Sequence, residues 1–329
     1  MTRVRAGVEK NISNAMDSDL EKLMDKVDSS QNNFRCGYAS IIGKPNVGKS
    51  TLMNTFVGQK ISIVTDKPQT TRHKILGILS GEKFQIIFFD TPGLLKPKYK
   101  LQSAMMDAAH SAIADADVIL YMIDALEPHT ESSVEADVAF KVLRNVNKPV
   151  FLVINKADAV KKHQMLPVID YYSKKFNFVE IFPISALMAE GTAELLKSIV
   201  NNLPFHPPYF PSDSISDANE RFFVSEIIRE KIFERFQMEV PYSTTVEIIE
   251  FKERGDNKDF ISAEIYVERQ SQKGILIGKN GAALKEVGES ARVDIEKFLG
   301  RPVFLEIHVK VREKWRNSEA WLKRLGYKL

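Results

Sequence analysis

The sequence predicts two domains: first an α/β domain with a doubly wound, mostly parallel sheet, then a smaller α+β domain. Apolar runs alternate with helical patterns between Cys36 and Leu203, a spacing typical of strand, helix, strand units. A proline-rich stretch at residues 203–211 interrupts this pattern. The chain has 329 residues, a length that usually contains more than one core.

Six apolar runs mark the expected strands of the first domain. Each is short and bounded by polar or glycine-containing loops, as buried strands are. Gly81 and Glu82 separate the second run from the third and predict a hairpin, so one edge strand should be antiparallel. The runs cover residues 36–42, 75–79, 84–89, 118–123, 150–154 and 181–184.

A phosphate-binding loop follows the first run. Residues 43–50 match the pattern G-x-x-x-x-G-K-[ST] and precede an expected helix over residues 50–57. Glycines let the backbone turn and direct its N–H groups at phosphate oxygens, and the helix start adds the positive end of its dipole. The phosphate-binding residues that we predict are Gly43, Lys44, Pro45, Asn46, Val47, Gly48, Lys49, Ser50, Thr51 and Gly93.

A magnesium site is expected beside this loop. Lys49 would contact the β- and γ-phosphates, and the Ser50 hydroxyl would bind Mg²⁺. Asp90 ends the third apolar run and could hold the ion through water, because Mg²⁺ keeps several of its waters. We favour Thr71 over Thr70 to complete the shell, and the alternative for either is an ordinary loop hydroxyl.

The same loops could act as a switch. The Gly93 N–H can reach a γ-phosphate and would lose that partner on hydrolysis. The loop that carries Gly93 could then change from an ordered to a disordered state. The expected switch residues are Thr70, Thr71, Asp90, Thr91, Pro92 and Gly93.

The tetrapeptide at residues 155–158 favours guanine. It follows the fifth apolar run at a strand's carboxyl end, where α/β sheets bind ligands. Asp158 can accept hydrogen bonds from guanine N1–H and N2–H₂, which adenine does not offer. Asn155 can tie this loop to the phosphate loop, and the stem of Lys156 would lie against the ring. Ser185 and Ala186 follow the sixth run, where the Ala186 N–H could reach guanine O6.

These elements, in this order, resemble those of the translation-factor-related GTPases, which implies a Ras-like G domain and GTP hydrolysis. Leu94 follows Gly93, where a Ras-like enzyme carries the glutamine that orients the attacking water. Catalysis cannot use that side chain. The resemblance to bacterial GTPases with Pro-Asn-Val-Gly-Lys-Ser loops motivates the hypothesis that Asn46 helps to hold K⁺; the alternative is that Asn46 only braces the loop.

Four segments are expected along the chain. We predict a flexible extension over residues 1–35, with one amphipathic helix over 16–24, a GTP-binding domain over 36–203, a linker over 204–217 and a second domain over 218–329. The second domain should contain helices over 220–234, 282–299 and 318–325 and strands over 244–251, 260–268 and 303–311.

A glycine-containing loop precedes the long helix of the second domain. It resembles the G-x-x-G loop of KH domains, which clamps a single-stranded nucleic-acid backbone, and the element order matches the type II KH arrangement. From Arg269 onward the chain holds 14 Lys and Arg against 7 Asp and Glu, the charge expected of a phosphate-binding face. The alternative is a plain turn with a solvated charged face. The RNA-binding residues that we predict are Lys273, Gly274, Ile277, Gly278, Lys279, Asn280, Gly281, Lys310 and Arg312.

An apolar wall made by Ile275, Ile277 and Leu284 should contact the bases. We expect Trp315 to be a packing anchor instead of a stacking platform.

The combination of this G domain with a C-terminal KH domain resembles the Era family over residues 36–329. The resemblance implies a ribosome-assembly GTPase that binds the 3′ end of small-subunit ribosomal RNA, with GTP controlling the affinity and Mg²⁺ as cofactor. It also implies peripheral association with the inner membrane, for which no membrane-binding helix is apparent.

Composition limits the other possibilities. A single cysteine, Cys36, excludes an intramolecular disulfide and a cysteine-cluster metal site, and we expect it to be packed in a strand. No apolar run approaches the length of about 20 residues that spans a membrane. The acids in residues 16–24 argue against a targeting peptide, so we expect a cytoplasmic protein. We also expect it to be a monomer. The alternatives in function are a constitutive RNA-binding protein with an uncoupled GTP site and a P-loop enzyme of small molecules, which residues 155–158 disfavour.

Overall fold

The computed structural model describes residues 34–255 and 257–328. They form two compact units. The first contains the described residues up to Ser62, Lys74–Lys96 and Ala109–Asp217; the second contains Ile63–His73, Pro97–Ala108 and the described residues from Ala218 onward. Two short segments from the N-terminal half of the chain therefore pack with the C-terminal unit. The helix expected over residues 16–24 lies outside the described residues.

The first unit is built on a six-stranded sheet in the order β2-β3-β1-β4-β5-β6. Neighbouring strands run parallel except β2 and β3, which form the predicted hairpin. Its turn is closed by a hydrogen bond from the Gly81 N–H to the Phe84 carbonyl at 2.8 Å. The strands are β1 (Arg35–Gly43), β2 (Ile75–Ser80), β3 (Phe84–Asp90), β4 (Val118–Asp124), β5 (Val150–Asn155) and β6 (Ile181–Pro183).

Helices connect these strands and cover the sheet. Every residue of β3, β4 and β5 is buried, as in parallel sheets enclosed on both faces. The predicted α/β class is confirmed. The helices are α1 (Lys49–Val57), α2 (Lys100–Asp115), α3 (Glu131–Ala136), α4 (Val138–Leu143), α5 (Lys162–Lys175) and α6 (Thr192–Asn202). The residues of α2 that precede Ala109 belong to the second unit.

Cys36 and the predicted linker both pack in the first unit. The Cys36 thiol is buried, and burial raises its pKa, as expected of a packed strand thiol. The Cys36 N–H donates to the Pro204 carbonyl at 3.1 Å, and the Ile78 N–H donates to the Ile215 carbonyl at 2.9 Å. Part of the backbone that was predicted as a linker is therefore hydrogen-bonded to the sheet.

The second unit contains a three-stranded sheet in the order β7-β8-β9. Strands β7 and β8 are antiparallel, whereas β8 and β9 are parallel. The strands are β7 (Thr245–Lys252), β8 (Asp259–Val267) and β9 (Val303–Val311), and the helices are α7 (Glu220–Arg235), α8 (Gln270–Ile277), α9 (Ala282–Leu299) and α10 (Glu319–Arg324). The predicted bounds of α9 and β9 are confirmed exactly, and α8 is a helix that the sequence did not delimit.

One face of the second sheet packs against helices. Its apolar core joins Ile228 of α7, Leu276 of α8 and Ile295 of α9 to Ile261 and Ile265 of β8. Trp315 is fully buried, and its indole N–H donates to the Ser243 carbonyl at 2.9 Å, so the predicted packing anchor is confirmed. Within the described ranges, no helix combines the length and apolar character that crossing a bilayer requires.

Candidate functional site

The phosphate loop joins the end of β1 to the start of α1 and requires both of its glycines. Gly43 has φ 153° and Gly48 has φ 103°, values that side chains rarely tolerate. A Cβ atom at Gly43 would lie 2.2 Å from the Met122 carbonyl oxygen, and one at Gly48 would lie 2.2 Å from Asn155 Nδ2. The loop therefore holds its conformation by close backbone approach, as the motif predicts.

Lys49 is the buried cation of this loop. Its ammonium donates to the Lys44 carbonyl at 2.7 Å and to the Gly43 carbonyl at 3.3 Å. Burial lowers the pKa of Lys49 to about 8, because the charged form loses hydration that a bound phosphate would replace.

The other residues of the phosphate loop include one with a left-handed backbone and one in an ion pair. Asn46 has a left-handed backbone, with φ 65°, and Val47 is buried. The Lys44 ammonium forms an ion pair with Glu127 at 2.8 Å. Pro45 lies between Lys44 and Asn46 in the loop, and Thr51 lies in the first turn of α1.

Two hydroxyls converge on Asp90 at the end of β3. The Ser50 and Ser62 hydroxyls each donate to Asp90 Oδ2 at 2.6 Å, and Asp90 is fully buried. The structure thus brings together Ser50 and Asp90, which were predicted as Mg²⁺ ligands, and adds Ser62. Asn54 of α1 fixes Ser62, since its Oδ1 accepts the Ser62 N–H at 2.9 Å. No sequence signal distinguished Ser62 from other loop serines.

Hydroxyl and carboxylate oxygens are the ligands that Mg²⁺ prefers, with phosphate and water completing the shell. Ser50 and Asp90 fit that requirement. Among the described residues, no group of three or more His, Cys, Asp or Glu side chains could hold a metal. A site of this kind would depend on the phosphates of a bound nucleotide.

The loop after Asp90 lies against the phosphate loop. The Thr91 hydroxyl donates to the Ile41 carbonyl at 2.8 Å, which fixes the chain before Pro92. A Cβ atom at Gly93 would lie 2.6 Å from the Pro45 nitrogen, and the Leu94 N–H donates to the Gly43 carbonyl at 3.2 Å. The Leu94 side chain is buried.

Thr70 and Thr71 are placed differently from Ser50 and Asp90. Both belong to Ile63–His73, which we call the threonine segment, and this segment packs in the second unit. Both threonines are buried, and the Thr70 carbonyl accepts from the Arg229 guanidinium at 2.7 Å. The predicted choice between them as Mg²⁺ ligands remains a prediction.

Further bonds hold the threonine segment in the second unit. The buried Arg72 guanidinium donates to three carbonyls, those of Thr244 at 2.7 Å, Pro241 at 3.1 Å and Tyr242 at 3.2 Å. The His73 ring stacks on Tyr327, with centroids 4.2 Å apart. Burial lowers the pKa of His73 to about 4.

The base loop, residues 155–158, follows β5. Asn155 is buried; its amide donates to the Val47 carbonyl at 2.8 Å, and its Oδ1 accepts the Ala186 N–H at 2.9 Å. The predicted tie to the phosphate loop is therefore present. The Ala186 N–H donates to Asn155 in this structure, and its expected contact with guanine O6 stays a prediction.

Asp158 and Ser185, which were also predicted to bind the base, differ in exposure. Asp158 lies exposed on a 3₁₀ turn, Ala157–Ala159, where its carboxylate can accept from a ligand. The buried Ser185 hydroxyl accepts the Met188 N–H at 3.2 Å. Thr55 of α1, which the sequence did not single out, donates to the Ala186 carbonyl at 2.8 Å.

The glycine loop of the second unit connects α8 to α9. Gly278 and Gly281 have φ 71° and 79°, and Asn280 between them has φ 53°. A Cβ atom at Gly278 would lie 2.7 Å from the Ala283 Cβ, so only glycine fits this approach. Lys279 and Asn280 are exposed at the tip of the loop.

Beside this loop lies an open groove of about 380 Å³. Its floor is apolar, through Leu284 of α9 and Leu305 and Ile307 of β9, and Lys285 and Arg292 supply cations at its rim. We call it the KH groove. The residues that line it are Gly281, Leu284, Lys285, Gly288, Glu289, Arg292, Leu305 and Ile307.

The predicted RNA-binding residues divide into three groups, of which the first two lie on the glycine loop and on α8. Gly281 lines the KH groove, next to Gly278, Lys279 and Asn280. Lys273, Gly274 and Ile277 lie on α8, where the Gly274 carbonyl accepts the Gly278 N–H at 2.9 Å. Ile277 packs against the core, whereas Ile275 is half exposed.

Lys310 and Arg312 are not brought to the KH groove. Side chains alternate along a strand, so Lys310 points to the sheet face opposite Leu305 and Ile307 and pairs with Glu264. The Arg312 guanidinium lies over the Trp321 ring, 4.7 Å from its centroid. The expectation that both cations line the groove is not supported.

Comparison with known proteins places both sites in one family. The family model described as 50S ribosome-binding GTPase matches residues 38–156, and the model described as KH domain matches residues 239–316. GTPase ERA1, chloroplastic, of Zea mays is 47% identical over 298 residues, which cover 90% of this chain and 71% of that protein. GTPase Era of Geobacter metallireducens is 48% identical over 299 residues, which cover 91% and 99%.

Solved structures agree with this assignment. A variant of Aquifex aeolicus Era bound to GDP and AlF₄⁻ has a TM-score of 0.83 and 43% identity, covering 90% of this chain and all of that one. A structure of Era in complex with MgGDPNP and nucleotides 1506–1542 of 16S ribosomal RNA has a TM-score of 0.84 and 43% identity over the same share of both chains. With both family models matched and nearly half of the residues shared over nine tenths of the chain, this chain belongs to the Era family of GTPases.

Proposed function

We propose that this chain is a GTP-hydrolysing switch that binds the 3′ region of small-subunit ribosomal RNA and assists assembly of the small ribosomal subunit. The observation that carries the proposal is that one chain joins a phosphate loop and base loop to a KH groove. The Era structure that holds MgGDPNP and a segment of 16S ribosomal RNA supports both ligands.

Five side chains give the nucleotide site its function. The Asp158 carboxylate selects guanine, and Asn155 keeps the base loop on the phosphate loop. Lys49 places its positive charge on the β- and γ-phosphates. Ser50 and Asp90 would hold Mg²⁺, which supplies positive charge to the phosphate oxygens when bound.

Hydrolysis in this site lacks a glutamine that could orient water, because Leu94 follows Gly93 and is buried. We therefore expect a slow intrinsic rate. Asn46 is the candidate ligand of a K⁺ ion that would add charge near the phosphates. Equal GTP turnover in potassium and sodium buffers would contradict this role for Asn46.

The KH groove suits a single-stranded RNA segment. Its apolar floor can accept bases, and the glycines at residues 278 and 281 allow the RNA backbone to approach closely. Gly281→Asp would add a negative charge and a side chain at φ 79°, and we expect it to weaken RNA binding. GDP affinity should stay unchanged, and its loss would mean that the two sites are not separate.

The threonine segment supports coupling between the two ligands. It contains Thr70 and Thr71, which are expected switch residues and candidate Mg²⁺ ligands, yet the Thr70 carbonyl accepts its hydrogen bond from Arg229 of the second unit. If GTP tightens RNA binding through this segment, RNA must tighten GTP binding by the same factor.

The test is the affinity for a short single-stranded RNA with a pyrimidine-rich 3′ end, titrated at fixed salt with GDP and then with a non-hydrolysable GTP analogue. Tighter binding with the analogue is expected. Equal affinities would favour a constitutive RNA-binding protein with an uncoupled GTP site. Lack of binding in both states would refute the RNA-binding role.

The location and assembly state belong to the same proposal. We propose a monomer in the cytoplasm with peripheral association at the inner membrane. Fractionation of cells followed by salt washing of the membranes would test this location. Sedimentation of the purified chain would test its assembly state.

A further inference from the structure

Asp124 lies beside the base loop but was not predicted to serve it. It is the last residue of β4 and pairs in register with Asn155, the last residue of β5. Asp124 is 8% exposed. A nearly buried carboxylate usually requires a partner, because loss of hydration disfavours its charge.

The partner of Asp124 is Lys156, the residue whose stem is expected to lie against the guanine ring. The Lys156 ammonium donates to Asp124 Oδ2. Lys156 has a left-handed backbone, with φ 64°, an uncommon conformation for a residue other than glycine. The backbone turn and the carboxylate together fix both ends of the lysine side chain.

The turn that carries Asp124 is itself rigid. Asp124 Oδ1 accepts the Leu126 N–H at 2.9 Å, and the Asp124 carbonyl accepts the Glu127 N–H at 3.1 Å. His129 Nε2 lies 3.0 Å from the same carbonyl, so this nitrogen must carry the proton. The Tyr172 hydroxyl can then donate to His129 Nδ1 at 3.3 Å.

We propose that Asp124 is a positioning residue for the base: its carboxylate holds the Lys156 ammonium so that the lysine stem forms one wall of the guanine pocket. The proposal rests on the proposed role of Lys156 in base binding. A side chain that is already held loses less conformational entropy when the base arrives. Asp124 touches no part of the nucleotide in this mechanism.

A purely structural role for Asp124 makes a different prediction. If its function were only to accept the Leu126 N–H, then Asp124→Asn would preserve it, because an asparagine Oδ1 accepts the same bond. The same substitution removes the negative charge that holds the ammonium. It therefore separates the two roles without deleting the side chain.

The experiment measures GDP affinity for the full chain and for Asp124→Asn, Lys156→Met and the double variant. Lys156→Met keeps an apolar stem but lacks the ammonium. We expect about a five- to tenfold loss for Asp124→Asn, and no further loss when it is added to Lys156→Met, because interacting residues are not additive. Affinity for inorganic tripolyphosphate, which lacks a base, should be unchanged in every variant.

Three outcomes would overturn the proposal. They are unchanged GDP affinity in Asp124→Asn, fully additive losses in the double variant, and an equal loss of tripolyphosphate affinity, which would indicate general damage to the loop. Asp158→Asn serves as the control for the base loop and should relax the preference for guanine. If it does not, the assignment of the base loop fails independently of Asp124.

Discussion

The base loop and the threonine segment are both loops expected to contact the nucleotide, yet they are held in different ways. Asn155 bonds the base loop to Val47 and Ala186, within the first unit. The threonine segment is bonded through Arg72 and Arg229 within the second unit. The predicted base loop is therefore held within the unit that contains the phosphate loop, whereas the expected switch threonines are held within the unit that carries the KH groove.

This difference suggests how one chain could link GTP to RNA. A rigid base loop would bind GDP and GTP alike, because both carry guanine. A threonine segment that is bonded within the second unit could supply a Mg²⁺ ligand only by exchanging those contacts for new ones. Four predictions test whether the two loops are as independent as their hydrogen bonds indicate.

The largest effect on nucleotide affinity is expected for Asn155→Ala. It removes two buried hydrogen bonds and leaves the Val47 carbonyl and the Ala186 N–H without them. GDP affinity should fall about a hundredfold, or about 2.7 kcal/mol, as measured by calorimetry. Asn155→Asp is the matched control: it keeps an acceptor for Ala186 and loses the donor to Val47. RNA affinity without nucleotide should not change, and a parallel loss of it would contradict independence.

Arg72→Met should affect the threonine segment and the unit in which it packs. It leaves three carbonyls without their guanidinium donor, which should lower the free energy of unfolding of the second unit by about 2–4 kcal/mol. Urea unfolding followed by tryptophan fluorescence reports on this unit, because Trp315 and Trp321 both belong to it. Arg72→Lys should be intermediate. A loss of GDP affinity with no change in the free energy of unfolding would contradict the assignment of the threonine segment to the second unit.

A smaller effect concerns the pH dependence of GDP binding. The pKa of Lys49 is lowered to about 8 by burial, and phosphate should raise it, so binding above that pH must take up a proton. GDP affinity should be level up to about pH 8 and then fall by up to about tenfold per pH unit. Calorimetry in buffers of different ionisation enthalpy measures the uptake. In Lys49→Arg the fall should disappear, and a level profile in the parent chain would contradict the prediction.

The effect expected from His73 in the threonine segment is confined to acid pH. Its pKa is lowered to about 4, first by burial, with Arg229 and Arg72 acting in the same direction and Glu226 opposing them. His73 of the unfolded chain therefore becomes protonated below about pH 6.5, whereas His73 of the folded chain becomes protonated only near pH 4. Stability should be full above about pH 6.5 and decrease as the pH falls towards about 4. His73→Phe keeps a stacked ring on Tyr327 and should remove this part of the decrease in the free energy of unfolding. If the variant and the parent chain show the same dependence of stability on pH, this role of His73 is refuted.

Local sequence patterns were sufficient to predict much of the nucleotide site. The glycines at 43 and 48, the lysine at 49 and the tetrapeptide at 155–158 lie where strands end, and short-range geometry decides the conformation there. The KH loop was predicted for the same reason, because Gly278 and Gly281 adopt backbone conformations that favour glycine. Such signals depend on neighbours in sequence.

Contacts between distant residues were not predictable in this way. Ser62 and Asp124 are ordinary polar residues until the fold brings them to Asp90 and Lys156. Lys310 was assigned to the KH groove from its charge, but strand register directs it to the opposite face. The bounds of β9 were predicted correctly, but the groove lies on the face that carries Leu305 and Ile307, and only the packing of α9 beside that face decides which face it is.

The sequence alone indicated the two folds and the phosphate and base loops, because apolar periodicity and glycine conformations are local properties, and the combination of those motifs gave the resemblance to the Era family. Tertiary structure alone decided that the threonine segment packs with the second unit, because its partners lie more than 150 residues away, as Thr70 and Arg229 illustrate with a separation of 159. Partners at that distance are chosen by packing of the whole chain, since the carbonyls that Arg72 bonds carry no sequence signature of their own.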